Sequence, residues 1–174
     1  MEWNTANKLT MLRVILIPVY LVVSYLNLEY SALLALAVFV IASITDFLDG
    51  YVARHYNQVT TFGKFMDPLA DKILVITAMI WFVSVGLLHV WALAIVVARE
   101  FAVSGLRLIA VDNGRGSAAA WSGKVKTFST MVCLCLMHLP IPEILVQVCV
   151  WVITLTTLYS GVEYFVQNLS LIHI

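Results

Sequence analysis

The chain carries Asp46-x-x-Asp49-Gly50-x-x-Ala53-Arg54 and, eight residues further on, Gly63-x-x-x-Asp67-x-x-x-Asp71, with all four aspartates inside apolar stretches. An aspartate at mid-membrane depth costs about 2.5–3.5 kcal/mol on insertion scales, so four without compensation cost roughly 10–14 kcal/mol. A chain that keeps four needs something that makes them favourable, and divalent cations bound by carboxylate oxygens do so. Asp46 and Asp49 are three residues apart and Asp67 and Asp71 four apart, so each pair is predicted to lie on one face of its own helix. The polar stretch 55–62 between them reads as a turn. Two antiparallel helices joined there set Asp46 level with Asp71 and Asp49 level with Asp67, about 6–14 Å in from the turn at 1.5 Å per residue. Four converging oxygen ligands suit Mg²⁺, Mn²⁺ or Ca²⁺, with room for two ions that balance the four carboxylates.

Gly50, Ala53 and Gly63 lie between the carboxylates and the turn. Small residues at helix contacts in membranes serve close packing, and alone they would mean no more than that. Beside four carboxylates and Arg54 they read as room for a bulky polar ligand near the backbone. The Arg54 guanidinium suits phosphate oxygens, which it can grip with two parallel hydrogen bonds.

The elements that must position these residues are apolar helices. The chain is 62% hydrophobic and 11% charged, with a mean hydropathy of +0.97, outside the range of soluble domains. Apolar segments at 11–28, 31–53, 64–86, 90–111, 118–139 and 143–166 each approach bilayer-spanning length. The expectation is an all-α integral membrane protein: one domain over 1–174, six transmembrane helices, and a metal site toward the cytoplasmic side. No small-x-small cleavage site follows 11–28, so that segment is expected to be a retained helix rather than a signal peptide. Lys8 and Arg13, Arg54 and Lys64, and Arg107, Arg115, Lys124 and Lys126 gather at alternate ends of the segments, whereas 27–31, 86–90 and 139–143 have no Lys or Arg. Both termini are therefore expected in the cytoplasm.

Other residue types speak less. Cys133, Cys135 and Cys149 fall in apolar stretches and read as small core hydrophobes. His55, His89 and His138 lack metal-ligand spacing. The net charge of zero identifies no partner, and no nucleic acid is expected.

The pattern D-x2-D-G-x2-A-R-x8-G-x3-D-x3-D, eight specified positions in 26 residues, is matched throughout. It resembles the signature of the CDP-alcohol phosphotransferases. The resemblance implies a six-helix membrane enzyme of the bacterial cytoplasmic membrane, a homodimer, with two divalent cations (Mg²⁺ or Mn²⁺) on Asp46, Asp49, Asp67 and Asp71. It further implies a CDP-linked donor held by Asp49, Gly50, Ala53, Arg54 and Gly63, and Asp71 as general base for the acceptor hydroxyl. Asn7-x-Leu9-Thr10-x-x-Arg13-x4-Pro18 is similar to the family's first helix. Ala98-Arg99-Glu100, Ser104-Gly105-Leu106-Arg107 and Gly123-Lys124-Val125-Lys126-Thr127 resemble the bacterial members that join CDP-diacylglycerol to glycerol 3-phosphate.

That acceptor is a dianion near neutral pH, and Arg107, Arg115, Lys124 and Lys126 are the cations expected to bind its phosphate. The competing reading gives the same four only a topological role. Arg99 and Glu100 sit near mid-helix, either as an ion-pair partner for the site or for Lys72, or as a direct substrate contact. Serine, inositol phosphate and phosphatidylglycerol remain alternative acceptors, although the basic cluster favours a phosphorylated one. A cation transporter would need polar groups from face to face, and the outer stretches 31–42 and 73–86 are almost wholly apolar.

Overall fold

The computed structural model describes residues 5–26, 29–55, 61–112 and 121–168; within these the side chains of 5–9, 46–55, 61–65, 67, 68, 111 and 112 lie outside the described set. The described residues form six helices: α1 Thr5–Tyr25, α2 Ser31–His55, α3 Thr61–Ser84, α4 Val90–Asp112, α5 Trp121–Met137 and α6 Glu143–Gln167. No strand occurs among them. The apolar segments foretell α2, α3, α4 and α6 to within a few residues. The first helix differs, starting at Thr5 instead of 11, because a polar first turn such as Thr5 to Lys8 can be helical without being apolar. Residues 113–120, ahead of α5, are outside the described set.

The chain separates into two compact units, Met1–Trp81 and Phe82–Ile174. In the first, α1 packs along α2. Tyr20 and Phe39 are fully buried there, their ring centroids 6.1 Å apart. The Trp81 indole N–H donates to the Ser24 carbonyl at 3.1 Å, tying the end of α3 to the end of α1. Pro18 lies inside α1 and removes one backbone donor. Truncating Phe39 to alanine is expected to lower stability by about 3 kcal/mol through the cavity it leaves. Thermal unfolding in detergent reads this, and an unchanged midpoint would contradict the packing.

In the second unit α6 is the common partner of α4 and α5. Its buried face includes Cys149, Thr154, Thr157, Ser160 and Gly161, small residues that let helices approach closely. Ser129 Oγ donates to Thr156 Oγ1 across the α5–α6 contact at 3.3 Å. The helix starts after Pro142, with Glu143 in its first turn, where a carboxylate complements the helix dipole. After α3, Gly86 has φ 78°; its N–H bonds Val83 O at 3.1 Å and the Leu87 N–H bonds Phe82 O at 2.9 Å. A residue with a side chain would be strained in that left-handed turn. All three cysteines are free, and Cys133 and Cys149 are buried.

Beside an apolar core, the chain exposes many large apolar side chains and buries several polar ones. Phe101, Leu108, Phe128 and Ile144 are exposed, whereas Arg13, Lys126, Thr130 and Thr157 are buried. One helix among the described residues, Glu143–Gln167, is long and apolar enough to cross a membrane by length and composition; Thr10–Tyr25 and Ser31–Thr45 are shorter apolar stretches. Polar residues interrupt the others: Asp71 and Lys72 in α3, and Arg99, Glu100 and Arg107 in α4.

Candidate active site

α2 runs unbroken through Asp46, Asp49, Gly50, Ala53 and Arg54 to His55, and α3 carries Gly63, Asp67 and Asp71 within its first three turns. Helical backbone at both sites means that residues three and four apart share a face, which is what the aspartate spacing required. Asp71 is half-buried. The side chains of Asp46, Asp49, Gly50, Ala53, Arg54, Gly63 and Asp67 lie outside the described residues. Among the described residues no three His, Cys, Asp or Glu side chains form a cluster able to hold a metal.

Arg13 enters this region in a role that charge counting missed. Its sequence position suggests a topological charge at the start of the first span. The structure buries its side chain completely, and Nε donates to the Ala42 carbonyl at 3.3 Å. Ala42 also accepts from Thr45 Oγ1 at 2.7 Å. Ala42 lies one turn before Asp46 on α2. The available signal was an arginine flanked by apolar residues inside a helix, which lipid alone would not favour.

The second unit holds a buried charge network. Glu100 Oε1 accepts from Arg99 Nη1 at 2.8 Å and from Lys126 Nζ at 2.8 Å. Arg99 Nη2 donates to Ser160 Oγ on α6. Of the roles left open for Arg99 and Glu100, the structure shows pairing with each other, with Lys126 and with Ser160. A Cβ added at Gly161 would meet Arg99 Cγ at 3.3 Å, and one at Gly123 would meet Arg99 Nη2 at 3.6 Å. Gly161 therefore clears the path of the arginine stem. Sequence reasoning passed over Ser160 and Gly161, although a small adjacent pair in a bulky apolar helix was a visible sign.

Three of the four expected acceptor cations are described, and they differ in exposure. Lys126 is 4% exposed, Arg107 and Lys124 are exposed, and Arg115 lies outside the described residues. A groove of about 470 Å³ beside α5 and α6 is lined by Trp121, Val125, Leu155 and Tyr159, with Ser122, Thr156 and Glu163. Arg99, Glu100 and Lys126 do not line it.

The CDP-alcohol phosphatidyltransferase family model matches residues 3–159, a stretch that takes in the whole aspartate pattern and the charge network through Lys126. The chain belongs to this family. A relative in Bacillus subtilis (strain 168), named CDP-diacylglycerol–glycerol-3-phosphate 3-phosphatidyltransferase, is 39% identical over 184 residues, covering 95% of this chain and 95% of the relative. Relatives of the same name in Escherichia coli (strain K12) and Salmonella paratyphi A are 41% and 42% identical, covering 77% of this chain and 76% of each relative.

For a CDP-alcohol phosphatidyltransferase the donor set can be tested against the metal such chemistry uses. Four carboxylates on two helices offer only hard oxygen ligands, which fits Mg²⁺ or Mn²⁺ and disfavours soft metals. The residues fit a divalent cation of that class.

Proposed function

We propose that the chain transfers the phosphatidyl group of CDP-diacylglycerol to glycerol 3-phosphate, releasing CMP and forming phosphatidylglycerophosphate. The observation that carries this reading is the complete eight-position aspartate pattern, set on two continuous helices within a family match over residues 3–159. The names of the relatives supply the acceptor.

The acceptor hydroxyl attacks the phosphorus bonded to diacylglycerol, the bond to the bridging oxygen of the pyrophosphate breaks, and that oxygen leaves with CMP. Asp71 takes the hydroxyl proton. A carboxylate near the reacting hydroxyl contributes on the order of 10²–10⁴ in rate as general base. Asp46, Asp49, Asp67 and Asp71 would hold two divalent cations, Mg²⁺ or Mn²⁺, which when bound would neutralise charge developing on the leaving nucleotide. Gly50, Ala53 and Gly63 leave room for the cytidine diphosphate portion, and Asp49 and Arg54 bind it, Arg54 through phosphate oxygens.

Arg107, Arg115, Lys124 and Lys126 bind the acceptor phosphate. Lys126→Ala and Arg107→Ala are each expected to raise KM for glycerol 3-phosphate by about ten- to a hundredfold, the worth of a charge-assisted hydrogen bond. KM for CDP-diacylglycerol should stay within about twofold, since uniform binding of one substrate is what these cations supply. The assay follows labelled glycerol 3-phosphate into the lipid phase, and unchanged acceptor KM in both variants would remove the group from the site.

The setting we propose is the bacterial cytoplasmic membrane. The six helices span it with both termini inside, residues 1–174 form one domain, and the chain acts as a homodimer. What supports the membrane is the exposed apolar surface around Phe101, Leu108, Phe128 and Ile144, which in water would be an unusual burden. It is also supported by the burial of charge and hydroxyl groups. Labelling of single cysteines placed at 28 and 141 from the outer face only would support the orientation; labelling from the inner face would reverse it.

A further inference from the structure

Glu100 brings two cations of different helices onto one oxygen. Arg99 Nη1 and Lys126 Nζ both donate to Oε1 at 2.8 Å, and the three side chains are 13%, 5% and 14% exposed. Two buried like charges this close repel and lose hydration, and a shared carboxylate offsets that cost and holds both in place. The trio carries one net positive charge. Arg99 is further held by Ser160 Oγ and by the backbone clearance at Gly161. Donors remain after these bonds: an ammonium has three, and Arg99 Nε is buried without a protein acceptor. A buried, prearranged cationic cluster with donors to spare suits an anion.

We propose that Glu100 is a positioning residue for the acceptor: it fixes Lys126 and Arg99 as a preformed cradle for a phosphomonoester. This rests on the reading above, in which Lys126 binds the acceptor phosphate, and it adds Arg99 as a second donor and Glu100 as the group that orients both. Glu100 itself does not touch the substrate. Without it nothing holds the two cations on one oxygen, and the cradle must be rebuilt at each binding event.

The test compares Glu100→Gln and Glu100→Asp in the full-length protein, in the wild-type background and with Lys126→Ala. Glu100→Gln is expected to raise KM for glycerol 3-phosphate about tenfold, with kcat within about threefold and KM for CDP-diacylglycerol within about twofold, the split expected when acceptor binding alone is lost. Glu100→Asp keeps the charge and should recover part of the loss. With Lys126 already alanine, Glu100→Gln should add less than about twofold, because coupled residues are not additive. An unmoved acceptor KM, full additivity with Lys126→Ala, or an equal loss for both substrates with a lowered Tm that Glu100→Asp does not restore would each overturn the proposal. If Glu100→Gln does not fold, Glu100→Asp alone and combined with Lys126→Ala decides: a raised acceptor KM that is absorbed by Lys126→Ala supports the proposal, and an unmoved acceptor KM overturns it. Wild-type turnover with serine and none with glycerol 3-phosphate would instead overturn the functional reading.

Discussion

Asp71→Asn is expected to lower kcat by about 10²–10⁴-fold while the protein folds normally, the loss typical of a removed general base. The substitution is nearly isosteric, so the half-buried position on α3 keeps its shape. An amide still offers one oxygen to a cation, which separates proton transfer from metal binding. It has no basicity toward an alcohol, so the defect should appear in kcat with both KM values little changed. Elevated pH should restore little, because the amide does not titrate. Retention of substantial turnover by a folded Asp71→Asn protein would mean that another group takes the proton.

Removal of divalent cations carries the other large effect. Stripping the protein with EDTA should reduce turnover by at least about 10³-fold, since a Lewis-acid contribution of several kcal/mol disappears. Mg²⁺ or Mn²⁺ should restore it. Asp46→Ala or Asp67→Ala should shift the metal concentration for half-maximal rate upward, and excess metal should recover part of the activity. This distinguishes a ligand from a proton carrier, because Asp71→Asn should not be rescued in that way. Full activity in EDTA, or a metal response untouched by both alanine variants, would contradict the assignment of the four aspartates.

The aspartate motif was legible because it is local. Spacings of three and four within a helix decide which residues share a face, and α2 and α3 are helical across every position of the pattern. Helix number and most boundaries were legible for a similar reason, as apolar runs of bilayer length are long and uniform. The charge network was not. Glu100 and Lys126 are 26 residues apart on different helices, and no periodicity connects them. Lys126 shows the consequence: its position near a helix start suggested an accessible phosphate ligand, while the fold buries it against Glu100. The burial of Arg13 was hidden for the same reason, because counting basic residues does not show that Nε reaches the Ala42 carbonyl of α2. Ser160 and Gly161 gain meaning only through Arg99.

The most direct measurement is CMP release by the purified protein supplied with CDP-diacylglycerol and Mg²⁺ or Mn²⁺, with glycerol 3-phosphate, serine or inositol 1-phosphate as acceptor, each with and without EDTA. CMP release is expected with glycerol 3-phosphate, none with the other two, and the signal should be lost in EDTA. Release with serine or inositol 1-phosphate alone, or release that survives EDTA, would contradict the proposed function.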